Sequence, residues 1–327
     1  MKIVVLDGHT LNPGDLDWGA LAALGDLTVY ERTDGKEVVQ RALGADAVYT
    51  NKTPLTRKLL YALSPSLKFI GVLATGYNIV DIAAAHELGI PVCNVPAYSS
   101  ASVAQMTFAL LLELCTRAWP HSEAVHSGEW SGCRDFCFWK YPLTELEGKS
   151  MGIVGFGHIG QRVAAIAATF GMEVLVHTRT VPTQAPCSVC FTDMEQLLSK
   201  SDVVSLHLPL TPQSEGIMDE SAFRKMKPEA YFLNTSRGPL VVEHDLAAAL
   251  RCGWIAGAGL DVLSTEPPAI DNPLLTAPNC IITPHISWAT KEARARLMQM
   301  SADNLRAFLS GAVQNDVTGG AQKKQQS

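Results

Sequence analysis

Short apolar runs rich in β-branched residues alternate along this chain with stretches whose apolar side chains return every three or four positions. The first kind reads as buried strand and the second as helix, and their alternation is the pattern of parallel α/β sheets. KIVVLD (2–7), LTVY (27–30), DAVYT (46–50), LKFIGVL (67–73) and IPVCNV (90–95) are candidate strands, with helical stretches such as 56–63 and 81–88 between them. A longer helix is predicted over about 100–119, with Val103, Met106, Leu110 and Leu114 on one stripe. Pro120 and the aromatic, Cys-containing stretch 130–141 are then expected to form an irregular connection. From Lys149 a second series begins: MGIVGFG, MEVLVHT, VCF, DVVSLHL, AYFLNTS, IAGAGLDVL and CIITPHI. With their helices these make a complete doubly wound domain of roughly 190 residues. Helical spacing returns over 290–309, through Ala293, Leu297, Met300, Leu305 and Leu309, a position that sends the chain back to the first domain. The polar, Gly-rich end GGAQKKQQS is expected to be disordered.

Composition narrows the class. In 327 residues, 47% are apolar and 18% charged, enough to pack sizeable cores and too apolar for a disordered chain. A net charge of −6 argues against a broad nucleic-acid footprint. No apolar window reaches the ~18 residues of a membrane span, and MKIVVLDGHT is too short in its apolar part for a secretory signal, so a cytoplasmic protein is expected. The eight cysteines are then expected as free thiols. Cys187 and Cys190 form a C-x-x-C without a second pair nearby, so no metal site is expected.

The chemistry starts at Gly155-Phe156-Gly157-His158-Ile159-Gly160, a G-x-G-x-x-G that follows the strand MGIV and opens the helix QRVAAIAATFG. In that context glycine lets the backbone turn tightly beside a pyrophosphate, and the helix N-terminus offers unpaired N–H groups to it. A dinucleotide site for NAD ordinarily ends its second strand with Asp or Glu on the adenosine ribose. Here that end reads His177, Thr178, Arg179, Thr180 and carries no carboxylate. A guanidinium there suits a ribose phosphate, which favours NADP with NAD as the second cofactor. The competing reading is an exposed Arg179, a ribose contact from Thr178 and relaxed preference.

Three further residues follow later strands, where open α/β sheets bind ligands: Arg237 in NTSRG, Glu266 in STEPP and His285 in TPHISWAT. Each alone reads as a surface Arg, a turn Glu or a satisfied His. Together, beyond one sheet edge, they match the needs of carbonyl reduction. Hydride transfer to a ketone leaves negative charge on oxygen, which a histidine suits as proton donor. A neighbouring glutamate stabilises the imidazolium and orients it, and an arginine fork binds a carboxylate and polarises the carbonyl.

LATGYNIVD, NVPAYSSASVAQ, GIVGFGHIG, HLPLTPQSEGIMD, LNTSRGPLVVE, AGLDVLSTEPP and ITPHISWATKEAR occur in an order that resembles the D-isomer-specific 2-hydroxyacid dehydrogenases, nearly end to end. The resemblance implies catalytic Arg237, Glu266 and His285, and a substrate carboxylate held by the Thr75 and Gly76 amides. It implies dinucleotide contacts at His158, Ile159, Thr178, Arg179, Leu208, Pro209, Thr235 and Asp261. It further implies a Rossmann-type domain (99–289) inserted in a flavodoxin-like substrate domain (1–98 plus 290–327), and a homodimer. Within the family, SVAQMTFALLLEL and DFCFWKYPLTELEGK most resemble bacterial glycerate dehydrogenases, which reduce hydroxypyruvate or glyoxylate. In similar reductases a tryptophan from the loop before the nucleotide domain reaches the neighbouring active site, and Trp139 is the candidate here; packing within its own chain or at the dimer contact is the alternative. A broader 2-keto acid reductase of D-lactate type, and a dinucleotide-sensing protein without catalysis, remain the competing functions. The acid usual in the family's NAD-using members is replaced at Thr178, and Gln105 stands where the family carries Glu, as in some members of this subgroup.

Overall fold

The computed structural model describes residues 1–319, and the chain divides into two compact units, Met1–Ser99 with the segment from Ala289 onward, and Ser100–Trp288. The polar end from Gly320 lies outside the described residues.

In the first unit, β1 (Lys2–Val5), β2 (Asp26–Val29), β3 (Ala47–Thr50), β4 (Phe69–Val72) and β5 (Val92–Cys93) form one parallel sheet in the order β2-β1-β3-β4-β5. That is the flavodoxin-like order. β3 and β4 are buried along their whole length, which is why their sequences run apolar rather than alternating. The helix Lys291–Leu309, capped by Thr290, packs on this sheet: the Tyr49 hydroxyl donates to the Ser301 carbonyl at 3.0 Å, and the Phe69 and Phe308 rings lie 5.3 Å apart. Its Arg294 is buried and grips Asp15 through two bonds of 2.7 Å. Asp7, beyond β1, accepts from the successive amides of Asn51, Lys52 and Thr53 at 2.6–2.7 Å and so fixes the turn after β3.

In the second unit, β6 (Ser150–Val154), β7 (Glu173–His177), β8 (Cys190–Phe191), β9 (Val203–Leu206), β10 (Tyr231–Asn234), β11 (Gly257–Leu260) and β12 (Cys280–Ile282) form a parallel sheet ordered β12-β11-β10-β9-β6-β7-β8. This is the Rossmann arrangement, with its switch point between β6 and β9, where chain segments leave the sheet in opposite directions and open a crevice. Apolar clusters cover both faces of the sheet. The candidate strands of both sheets thus all appear.

One boundary differs from expectation. The long helix ends at Thr116; Arg117 takes a left-handed conformation (φ 50°), and a second helix, Ala118–His126, follows directly. Pro120 therefore lies inside a helix rather than ending one. It sits in the first turn, where no N–H is needed for an intrahelical bond. The stretch from Ser127 to Lys149 is irregular, and it contains the connection expected over 130–141. Among the described residues, no helix is long and apolar enough to cross a membrane.

Candidate active site

The glycine turn after β6 has the shape its spacing implied. Gly155 has φ +94°, and a Cβ there would sit 2.4 Å from the carbonyl oxygen of His207, at the end of β9. Only glycine combines that backbone with that approach. At Gly160 a Cβ would meet the Gly155 carbonyl oxygen at 2.3 Å, so a bare Cα lets the helix His158–Thr169 close on the strand. A Cβ added to Gly157 would meet nothing within 4 Å, so that side of its Cα faces open space. No side chain caps that helix, which leaves the amides of its first turn, with His158 exposed and Ile159 half-buried, free for an anion. An open, bare N-terminus beyond a tight glycine turn fits a dinucleotide pyrophosphate.

At the end of β7, Thr178 is half-buried and Arg179 and Thr180 are exposed. The Thr178 hydroxyl donates to the Thr180 carbonyl at 3.3 Å. Arg179 makes no hydrogen bond or ion pair with any described residue. Leu208 and Pro209 follow β9 against the glycine turn, where Leu208 N would lie 2.9 Å from a Cβ on Gly155. Thr235 is buried, its hydroxyl 3.1 Å from that of Thr107.

The catalytic candidates stand beyond β10, β11 and β12. After β10, Asn234 builds the turn that presents Arg237: its amide donates to the Arg237 carbonyl at 2.9 Å and its side-chain oxygen accepts from Ser236 N at 3.0 Å. Arg237 itself is exposed, and its guanidinium donates to the Ser236 carbonyl at 2.7 Å. Next to it, Gly238 packs so tightly that a Cβ would stand 1.9 Å from the carbonyl carbon of Leu263. The arginine turn is thereby pressed onto the segment that carries Glu266. Glu266 accepts from Leu263 N at 3.1 Å with one oxygen and meets His285 Nδ1 at 2.6 Å with the other. The carboxylate can only accept, so Nδ1 carries a proton and Nε2 is left for other partners. His285 and Glu266 side chains are 29% and 36% exposed, open enough to be reached by a small molecule.

His285 lies three residues past β12 with φ 54°, a strained conformation for a histidine. Asp261 holds it there. The Asp261 carbonyl accepts from His285 N at 2.8 Å, and its carboxylate accepts from Ile286 N at 2.9 Å, Ser287 N at 2.8 Å and the Thr283 hydroxyl. At 1% exposure, this side chain serves the histidine loop, a duty that reading it as a cofactor contact did not include. Asn234 was likewise not singled out. Its signal was the Asn two residues before Ser-Arg, a residue type that bonds its own backbone two positions on.

Other sequence candidates lie elsewhere. Thr75 and Gly76 follow β4 in the first unit, and neither amide donates a hydrogen bond to a described residue. Trp139 is 68% exposed, on the irregular stretch after the helix Ala118–His126. Cys187 and Cys190 are both free, and no metal-holding group of His, Cys, Asp or Glu occurs among the described residues.

Residues 108–287 match the family model of the D-isomer specific 2-hydroxyacid dehydrogenase, NAD binding domain. The chain belongs to the D-isomer-specific 2-hydroxyacid dehydrogenases. It is 53% identical over 321 residues to a hydroxypyruvate reductase of Blautia hydrogenotrophica, covering 97% of this chain and 99% of that one. It is 39% identical to a glycerate dehydrogenase of Methylorubrum extorquens, over 88% of this chain and 90% of that one. Among solved structures, an acyclic imino acid reductase in complex with NADPH and D-Arg superposes with a TM-score of 0.84 at 29% identity, over 97% of this chain and 100% of that one. As a 2-hydroxyacid dehydrogenase, this chain is an oxidoreductase that uses a nicotinamide dinucleotide and interconverts a 2-keto and a 2-hydroxy acid.

Proposed function

We propose that this dehydrogenase reduces hydroxypyruvate, and glyoxylate beside it, to D-glycerate and glycolate. The observation that carries the reading is the Glu266–His285 contact at 2.6 Å on the loop that Asp261 holds, with the Arg237 turn packed against the Glu266 segment. The names of the two relatives above, hydroxypyruvate reductase and glycerate dehydrogenase, support the substrate.

Gly157, His158, Ile159, Thr178, Arg179, Leu208 and Pro209 are the residues that would hold the dinucleotide, with Thr180, Thr235 and Asp261 at its margins. Bound there, its nicotinamide supplies the hydride. The chain's own residues do the rest. Arg237, a fixed fork of donors, binds the carboxylate and draws charge toward the carbonyl oxygen. The Thr75 and Gly76 amides are proposed, on the family resemblance alone, to donate to a substrate carboxylate. His285 gives its Nε2 proton to the carbonyl oxygen as negative charge grows there, and Glu266 keeps the ring in register through Nδ1. Arg179, unpaired and without a carboxylate at Thr178, supports a preference for NADPH over NADH.

The reading includes a homodimer in the cytoplasm. Phe136 and Trp139, 89% and 68% exposed on one irregular stretch, support a covering partner, and eight free cysteines suit a reducing compartment. The test is NADPH and NADH oxidation with hydroxypyruvate, glyoxylate, pyruvate and 3-phosphohydroxypyruvate. The highest kcat/KM is expected on hydroxypyruvate; a higher value on pyruvate or the phosphorylated acid overturns the proposal.

A further inference from the structure

Near Trp139 the irregular stretch meets the helix Ala118–His126 at His121. Its Nε2 lies 3.0 Å from the Lys140 backbone amide, and its Nδ1 lies 2.7 Å from the Arg117 carbonyl. The two partners decide the ring's state. An amide N–H only donates, so Nε2 must be a bare acceptor; a carbonyl only accepts, so Nδ1 must carry the hydrogen. His121 is therefore neutral in this arrangement, with both nitrogens used. Tyr141 packs edge-on against the same ring at 5.9 Å between centroids, and the Arg117 guanidinium lies 5.6 Å from the Tyr141 ring. Lys140 adds an ion pair to Glu129, near the start of the stretch. The next backbone anchor comes only at Thr144, whose amide donates to the Cys115 carbonyl at 3.0 Å.

We propose that His121 is a positioning residue: as a neutral imidazole it latches the Trp139–Lys140 peptide to the helix, and so sets how the enzyme recognises the substrate's hydroxymethyl end. The second half rests on the reading of Trp139 as a substrate contact; the latch itself does not. Fixing the amide of Lys140 fixes the peptide plane it shares with Trp139. An indole on a loose strand would lose rotational order and with it selectivity for a substrate longer than glyoxylate.

Two polar substitutions separate the bonds. In His121→Gln the side-chain oxygen reaches the place of Nε2 and can still accept from Lys140. In His121→Asn the shorter amide can serve only the Arg117 carbonyl. Trypsin cleavage after Arg134 and Lys140 reads the latch, and KM for hydroxypyruvate against glyoxylate reads its use. We expect His121→Asn to be nicked faster, with KM for hydroxypyruvate raised about three- to tenfold, the order of one lost hydrogen bond. Its kcat and its KM for glyoxylate should stay near wild type, and His121→Gln should restore slow nicking and most of the KM. Equal nicking in His121→Asn and wild type overturns the latch. Faster nicking with an unchanged hydroxypyruvate KM overturns its role in recognition. If the wild type fails to reduce hydroxypyruvate, the substrate reading fails, while the nicking rates still decide the latch.

Discussion

His207 gives the chain a pH-dependent stability whose size can be worked out. It opens the HLPL segment beside the glycine turn, is 9% exposed, and meets Ser205 Oγ through Nε2 at 2.8 Å, while Nδ1 has no partner among the described residues. Burial pushes its pKa down to about 3. The folded protein thus keeps His207 neutral where an unfolded chain, titrating at about 6.5, takes up a proton. Unfolding binds that proton, so stability falls as pH drops through the window between about 6.5 and about 3, and is flat in this contribution above it. Between about pH 7 and about pH 5 the loss is about 2 kcal/mol, from roughly 1.4 pH units of differential protonation at 1.36 kcal/mol each. Replacing His207 by Gln keeps a polar group at Ser205 and removes the titration. Urea unfolding of wild type and His207→Gln at both pH values isolates the effect, since all other titrating groups are common to the two proteins. The difference in stability between the proteins should shrink by about 2 kcal/mol in the variant's favour at the lower pH. A pH-independent difference would refute the argument that His207 is buried and neutral.

Three further outcomes follow from the site. Asp261→Asn places an amide donor against an N–H in the His285 loop, so a stability loss of about 1–3 kcal/mol and a lower kcat are expected by thermal melting and steady-state assay; an unchanged kcat would show that the loop holds without it. Glu266→Gln should alter the pH profile of kcat/KM more than its plateau, because only the orientation and charge balance of His285 change. Thr178→Asp should turn the cofactor preference toward NADH, since a carboxylate there accepts ribose hydroxyls and opposes a phosphate; the ratio of kcat/KM for the two cofactors at one fixed salt concentration measures it.

Both sheets and the glycine turn could be read from the sequence because their signals are local. Strand runs are continuous when both faces are buried, and the fingerprint needs only a strand before it and a helix after it. Arg237, Glu266 and His285 were legible for a related reason: each follows a strand of a parallel sheet, whose carboxyl ends share one edge. What escaped is the machinery that holds them. Asp261 sustains the left-handed backbone of His285 through bonds to residues 22 to 26 positions away, and no sequence spacing reveals which oxygen meets which amide. His121 and Lys140 are 19 positions apart, joined by a ring nitrogen whose role depends on its tautomer. Pro120 read as a terminator because helix interiors reject it; that a fresh helix starts two residues earlier depends on the left-handed turn at Arg117.

The central claim is that His285 delivers the proton to the carbonyl oxygen of a 2-keto acid, and His285→Ala tests it most directly. Steady-state reduction of hydroxypyruvate should show kcat lower by about 100-fold or more, with dinucleotide affinity, followed by fluorescence of the bound reduced cofactor, near that of wild type. A variant that keeps a near wild-type kcat would contradict the account.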